Sequence, residues 1–275
     1  MTETVTEAGL QGVKNIVAVA SGKGGVGKST TAVNLALALQ AEGLQVGILD
    51  ADIYGPSLPR MLGIDDSVQP QVVNGNAFVP VPAHGLKSMS IGYLTSERTP
   101  MVWRGPMAGG ALTQMLEQCL WGELDVLVVD MPPGTGDIQL TLSQKVKLSG
   151  AVIVTTPQDI ALLDARKGIE MFRKVEVPVL GVVENMALHI CSSCGHAEAI
   201  FGEGGGAQVA GDYGTTLLGA LPLDRRIREE GDRGTPIVQA EPDGEIAACY
   251  GDIARKLINA LAENLVNAPT ISIED

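Results

Sequence analysis

The stretch Asn15-Ile16-Val17-Ala18-Val19-Ala20-Ser21-Gly22-Lys23-Gly24-Gly25-Val26-Gly27-Lys28-Ser29-Thr30 decides how this chain is read. Its part from Gly22 to Ser29 fits the phosphate-cradling pattern G-x-x-x-x-G-K-[ST] and carries an extra lysine inside the loop. Asn15 to Ala20 is a short buried-strand run, and Thr30 to Leu39 has helical apolar spacing, so the loop is expected between a strand and a helix. Glycines let the backbone curl until the N–H groups from Gly22 through Lys23, Gly24, Gly25, Val26 and Gly27 converge on one anion. The start of the helix adds its partial positive charge. Lys28 is expected to meet the β and γ phosphates and Ser29 to hold magnesium, with Thr30 closing the nucleotide-binding set.

Outward from this loop, strand-like runs recur at Ile16 to Ala20, Val46 to Leu49, Val126 to Val129, Val152 to Thr155 and Val179 to Val183. Helical patterns such as Met107 to Leu120 and Ile160 to Phe172 separate most of them. Near-continuous apolar strands joined by helices predict an α/β fold, a mostly parallel central sheet flanked by helices on both faces. Residues 71–82 break the pattern and predict a small hairpin turning at Asn74-Gly75. Glu245 to Val266 reads as an amphipathic closing helix. With no repeat and no dividing linker, the expected organisation is a tail at 1–14, one domain over 15–268 with an insertion near 189–206, and a tail at 269–275.

The chain has 275 residues, 45% of them hydrophobic, and a formal net charge of -13. That balance permits a sizeable core and argues against broad attraction to nucleic acid or to anionic membranes. No apolar run approaches the roughly 20 residues that span a bilayer, and Met1 to Leu10 carries acid where a signal peptide needs positive charge. A cytoplasmic location is therefore expected. Cys119, Cys191, Cys194 and Cys249 are too few for a disulfide framework at this length, which leaves thiol chemistry and metal binding.

A phosphate loop alone does not imply hydrolysis; a magnesium-organising acid should end another strand. Asp130 closes Leu124-Asp125-Val126-Leu127-Val128-Val129, and the following Met131-Pro132-Pro133-Gly134-Thr135-Gly136 is a turn in which Gly134 would bring a backbone N–H to the γ-phosphate. Asp50-Ala51-Asp52 follows the strand Val46 to Leu49. Alternation puts Asp50 and Asp52 on one side if the strand continues, with Asp52 orienting the attacking water and Asp50 in the magnesium shell. Lys23 would be repelled by Lys28 unless extra negative charge lay nearby. Either it reaches a partner's phosphates across a two-fold interface, or it serves its own site.

These residues resemble the deviant-Walker family of P-loop ATPases, which includes nitrogenase iron protein, ParA and MinD. Within it, Gly22 to Thr30, Asp50-Ala51-Asp52-Ile53-Tyr54-Gly55-Pro56-Ser57, Trp103-Arg104-Gly105-Pro106-Met107 and Asp130 to Asp137 look like the Mrp/ApbC branch of iron-sulfur cluster carriers. The resemblance implies a P-loop NTPase fold, an ATP-hydrolysing homodimer, and Lys23 as the signature lysine. It places Asn185 against adenine; on its own Asn185 reads equally as a turn residue. Leu221-Pro222-Leu223-Asp224 and Ile227 to Gly234 resemble the family's late segment, bordering adenine or forming a strand-to-helix turn. Only about 14 residues precede the first expected strand, so the N-terminal extension of longer members is expected to be absent.

Downstream lies His189-Ile190-Cys191-Ser192-Ser193-Cys194-Gly195-His196. A CxxC gives two thiolates, whereas a four-cysteine cluster or zinc site needs two more. If Lys23 marks a two-fold dimer, Cys191 and Cys194 from both subunits supply all four on the axis. This resembles the labile bridging [4Fe-4S] site of the Mrp/ApbC carriers, which implies a cluster donor and apo-protein recipients as partners. Competing readings are a thioredoxin-like redox pair, a mononuclear zinc site with His189 and His196, and a structural turn. At the level of the whole protein, the alternatives are a ParA- or MinD-like positioning ATPase and a zinc-stabilised nucleotide-binding scaffold.

Overall fold

A computed structural model of the chain describes residues 8–94 and 105–266. Trp103, Arg104 and residues 269–275, the expected tail, lie outside the described residues, as do residues 1–7. In chain order the strands are β1 (Val13–Ala20), β2 (Val46–Asp50), β3 (Val72–Val73), β4 (Ala77–Phe78), β5 (Val81–Ala83), β6 (Leu86–Ser90), β7 (Leu124–Asp130), β8 (Gly150–Thr155), β9 (Val179–Glu184), β10 (His189–Ile190), β11 (Ala197–Glu198) and β12 (Leu217–Ala220). The α-helices are α1 (Lys28–Ala41), α2 (Leu58–Met61), α3 (Gly105–Glu117), α4 (Asp137–Lys145), α5 (Asp159–Lys174), α6 (Gly205–Asp212), α7 (Arg225–Asp232), α8 (Ile237–Ala240) and α9 (Glu245–Val266).

An eight-stranded sheet with the order β12-β9-β8-β1-β7-β2-β6-β5 runs through the centre. Its neighbours pair in parallel except at the edge, where β5 runs antiparallel to β6. Alternation of side chains splits the core between two faces. Val17, Val19, Ile48, Val126 and Val128 pack with α1 and α9; Ala18, Ala20, Leu49, Leu127 and Val129 pack with α3 and α5. Helix α1 is buried nearly all round, since the sheet covers one side and α8 and α9 the other. The α/β architecture, the parallel sheet and the helices on both faces are thus present as the sequence predicts. No helix among the described residues is long and apolar enough to cross a membrane.

The hairpin at residues 71–82 is smaller than expected. Only β3 and β4 form it, joined by the three residues Asn74, Gly75 and Asn76, of which Asn74 and Gly75 take the left-handed φ of 53° and 86°. Val81 and Pro82 instead open β5 of the main sheet. Strand β6 escapes the hydrophobic pattern because Lys87 and Ser88 interrupt it. Both polar groups reach backbone carbonyls, the half-buried Lys87 that of Trp121 and the buried Ser88 that of Val81, so both are satisfied within the strand. Strand β2 stops at Asp50, two residues before Asp52, so the alternation argument does not reach Asp52.

Asn34, 2% exposed, ties α1 to the far layer: its Nδ2 donates to the Thr30 carbonyl at 2.9 Å and its Oδ1 accepts the Val238 N–H at 3.1 Å. Asn34→Ala leaves that N–H buried and unpaired. The free energy of urea unfolding is expected to fall by about 1–3 kcal/mol; an unchanged value would show that the bond contributes nothing.

Candidate functional site

The site begins with register. Val19 of β1 pairs with Asp130 of β7, and Asp130 pairs with Asp50 of β2, so both acids end strands beside the one that launches the glycine loop. Gly27 ends that loop in the left-handed region at φ 81°, and a Cβ there would lie 2.2 Å from the Asn185 amide nitrogen. At Gly22 a Cβ would lie 2.0 Å from the Asp164 carbonyl oxygen. Both positions demand glycine. No side chain caps α1 and no acid stands in its first turn, so the positive helix end remains open to an anion.

Lys28 and Asp130, 6% and 1% exposed, form a buried ion pair. Lys28 Nζ also lies 3.0 Å from Ser29 Oγ. Among the described residues, Asp130 Oδ2 is buried with no hydrogen-bond partner. Burial pushes the Asp130 carboxyl above its ordinary range, against the pull of Lys28. Such an oxygen, next to a serine hydroxyl at a helix start, suits a magnesium ion or its water shell.

Asp50 is fully buried. Its Oδ1 accepts the Asp52 N–H at 3.1 Å, and its Oδ2 accepts the N–H groups of Ser57 and Leu58 at 3.0 and 3.1 Å and the Ser90 hydroxyl at 3.2 Å. Burial first, then the Asp130 charge, raises its carboxyl to about 7. These contacts lash the 51–58 loop to the sheet. Asp52, half-buried on that loop, lines the crevice with Lys23, Gly24, Gly25, Lys28 and Ser29, and burial raises its carboxyl also.

Gly134, at φ 93°, gives its N–H to the Ser21 carbonyl at 3.0 Å, which docks the 131–136 turn on the glycine loop. Gln139 fastens the same turn. Its Nε2 donates to the carbonyls of Pro132 and Gly134 at 2.7 and 2.8 Å, and its Oε1 accepts the Gly136 N–H at 2.6 Å. Sequence reasoning passed over Gln139, although its place three residues after Gly136 is the spacing of a capping box. It passed over Arg60 as well, which lines the crevice from α2. Lys23 is half-buried and forms no ion pair among the described residues.

Asn185 follows β9, and its Nδ2 donates 2.9 Å to the Val26 carbonyl, so it braces the phosphate loop. Four residues later, at His189, the chain enters the hairpin of β10 and β11, with Cys191 and Cys194 at its tip. The Cys191 N–H donates to the His196 carbonyl at 2.9 Å, and Gly195 turns the tip at φ 72°. N–H groups of Ser193 and Cys194 hold the Cys191 thiol below its ordinary range. His189 Nδ1 faces the Leu223 carbonyl at 3.1 Å. No group of three or more His, Cys, Asp or Glu side chains placed to hold a metal occurs among the described residues, which counts against the mononuclear zinc reading. Leu221 and Leu223 support this segment through the Ala187 and Leu188 backbone.

A family model described as ParA: NUBPL iron-transfer P-loop NTPase matches residues 12–258. The chain is 64% identical to an iron-sulfur cluster carrier protein of Pseudomonas fragi, over 90% of this chain and 86% of that one. It is 52% identical to the mitochondrial iron-sulfur protein required for NADH dehydrogenase of Arabidopsis thaliana, over 94% and 82%. A nucleotide-binding protein of Archaeoglobus fulgidus, solved in complex with ADP, superposes with a TM-score of 0.73 at 39% identity, covering 82% of this chain and 88% of that one. The cell division ATPase MinD of Pyrococcus furiosus shares the fold, with a TM-score of 0.66 at 23% identity over 90% and 99%.

Asp130→Asn strips the buried Lys28 of its counter-charge while keeping one acceptor. Unfolding free energy without nucleotide is expected to drop by about 2–3 kcal/mol in a urea titration; a drop below about 0.5 kcal/mol would mean that the pair does not hold the loop.

Proposed function

Since the chain belongs to the ParA family, as a NUBPL-type iron-transfer P-loop NTPase, we propose that it binds and hydrolyses ATP and carries an iron-sulfur cluster from a donor to apo-proteins as a homodimer. One observation carries the reading: two cysteines share one hairpin tip, and no third ligand joins them among the described residues. A [4Fe-4S] cluster takes about four thiolates, so two chains related by a two-fold axis would complete the set.

In this proposal the N–H groups of Gly22 to Gly27 and the ammonium of Lys28 hold the β and γ phosphates, and Lys28 leaves Asp130 to do so. Ser29 and Asp130 would hold magnesium; the unpartnered Asp130 oxygen supports that place. Both Asp50 oxygens are taken by loop donors, so Asp50 is assigned to positioning Asp52 rather than to the magnesium shell. Magnesium, when bound, neutralises charge on the phosphates. Asp52 orients the attacking water and accepts its proton, a task that suits a carboxyl raised by burial. Lys23, without a carboxylate partner among the described residues, reaches the phosphates of the second copy. Asn185 borders adenine while bracing Val26. The proposed extent is one ATPase domain over residues 15–268 with the cysteine insertion near 189–206, working in the cytoplasm.

Asp52→Asn is expected to slow ATP turnover by about 10²–10⁴-fold while ATP affinity changes little, as read by steady-state kinetics beside equilibrium binding; unchanged turnover would reject the role of Asp52. A Cys191→Ala/Cys194→Ala variant, reconstituted anaerobically, is expected to lose the iron-sulfur absorption bands and keep nucleotide binding. Full retention of the bands would remove the hairpin from the proposal.

A further inference from the structure

The turn that leaves β7 has few donors to offer an anion. Pro132 and Pro133 have no N–H, and the Met131 N–H goes to the Val19 carbonyl at 3.0 Å. The next donor is the Gly134 N–H, which the Ser21 carbonyl of the glycine loop accepts at 3.0 Å. Gln139 fixes the direction of that N–H from both sides. Its Nε2 holds the Pro132 and Gly134 carbonyls at 2.7 and 2.8 Å, and these belong to the peptide units flanking the one that carries the Gly134 N–H. With its neighbours clamped, the middle unit turns its N–H toward the glycine loop. Gln139 is 2% exposed, in the first turn of α4, so bulk water does not compete for these carbonyls.

Capping α4 needs only the bond from the Gly136 N–H to Gln139 Oε1. The two bonds from Nε2 do nothing for the helix; they shape the turn that directly follows Asp130, the partner of Lys28. We propose that Gln139 is a positioning residue for ATP hydrolysis: it holds the Gly134 N–H where that donor exchanges the Ser21 carbonyl for the γ-phosphate, and so lets the crevice tell ATP from ADP. This rests on the ATPase reading above. The exchange is favourable because a hydrogen bond to a charged phosphate oxygen is about twice as strong as one to a neutral carbonyl. ADP brings no γ-phosphate, so with ADP the Ser21 bond stays. Gly134 is free to make the move: it sits at φ 93° with, among the described residues, open space where a Cβ would stand. A donor aimed in advance also spares the site reorganisation as charge develops during the reaction.

The test compares Gln139→Glu with Gln139→Met. Glutamate keeps the acceptor for the Gly136 N–H, and with it the helix cap, but loses both donors; methionine keeps the side-chain length and loses all of these bonds. Equilibrium affinities for ADP and for the non-hydrolysable β,γ-imido analogue of ATP are read beside kcat and KM for ATP. In both variants ADP affinity is expected within about twofold of wild type, while kcat and the preference for the analogue over ADP each fall about 10–100-fold. Variants with wild-type kcat and wild-type preference overturn the inference, whatever their stability in urea, because Gln139 then only caps α4. Equal loss of affinity for ADP and the analogue overturns it too, since the turn then shapes the loop for any nucleotide. A wild type that turns over no ATP sinks the ATPase reading instead, and the ratio of the two affinities still judges Gln139.

Discussion

The buried pair of Lys28 and Asp130 is the interaction on which the nucleotide site depends. It exists because β1 and β7 are adjacent and in a register that ends Asp130 beside the glycine loop. Two charges removed from water carry a large desolvation cost, which their attraction offsets only with good geometry and full hydrogen bonding. Here the bonding is incomplete, since Asp130 Oδ2 has no hydrogen-bond partner among the described residues. A phosphate chain and its cation bring what is missing: negative charge for Lys28 and positive charge for Asp130. The folded chain therefore holds an arrangement whose polar groups are better satisfied with nucleotide than without it, a general property of sites organised for phosphoryl transfer.

Around that pair, side chains tie the loops down through backbone hydrogen bonds, beside the apolar packing of Val26, Ile53 and Met131. Asp50 gathers the donors of the 51–58 loop, Gln139 fastens the 131–136 turn, and Asn185 braces Val26. Asn185 has a second consequence, because the same stretch of backbone runs on into the cysteine hairpin. Met186 adopts a left-handed φ of 57°, Ala187 donates to the Leu221 carbonyl, and Leu223 donates to the Leu188 carbonyl. Phosphate loop and thiol pair are thus joined by one short segment, fixed at both ends.

Much of this was legible in the chain. The glycine loop, the strand and helix alternation, the acids at strand ends and the CxxC all carry local signatures, because each depends on residue type at fixed spacing. What escaped depends on tertiary partners. Strand β6 hides behind Lys87 and Ser88, whose polar groups are satisfied only by carbonyls brought in by the fold. The work of Asp50 could not be read from alternation, since β2 ends at that residue and its acceptors are filled by a loop folding back.

The central claim is that one chain holds half of a cluster site. Native mass spectrometry of anaerobically reconstituted protein tests it most directly, because chains and metal are weighed in one ion. The account predicts a species of two chains with about four iron and four sulfide, absent when Cys191 and Cys194 are replaced by alanine. A single chain carrying a complete cluster, or one zinc per chain with no iron, would contradict it.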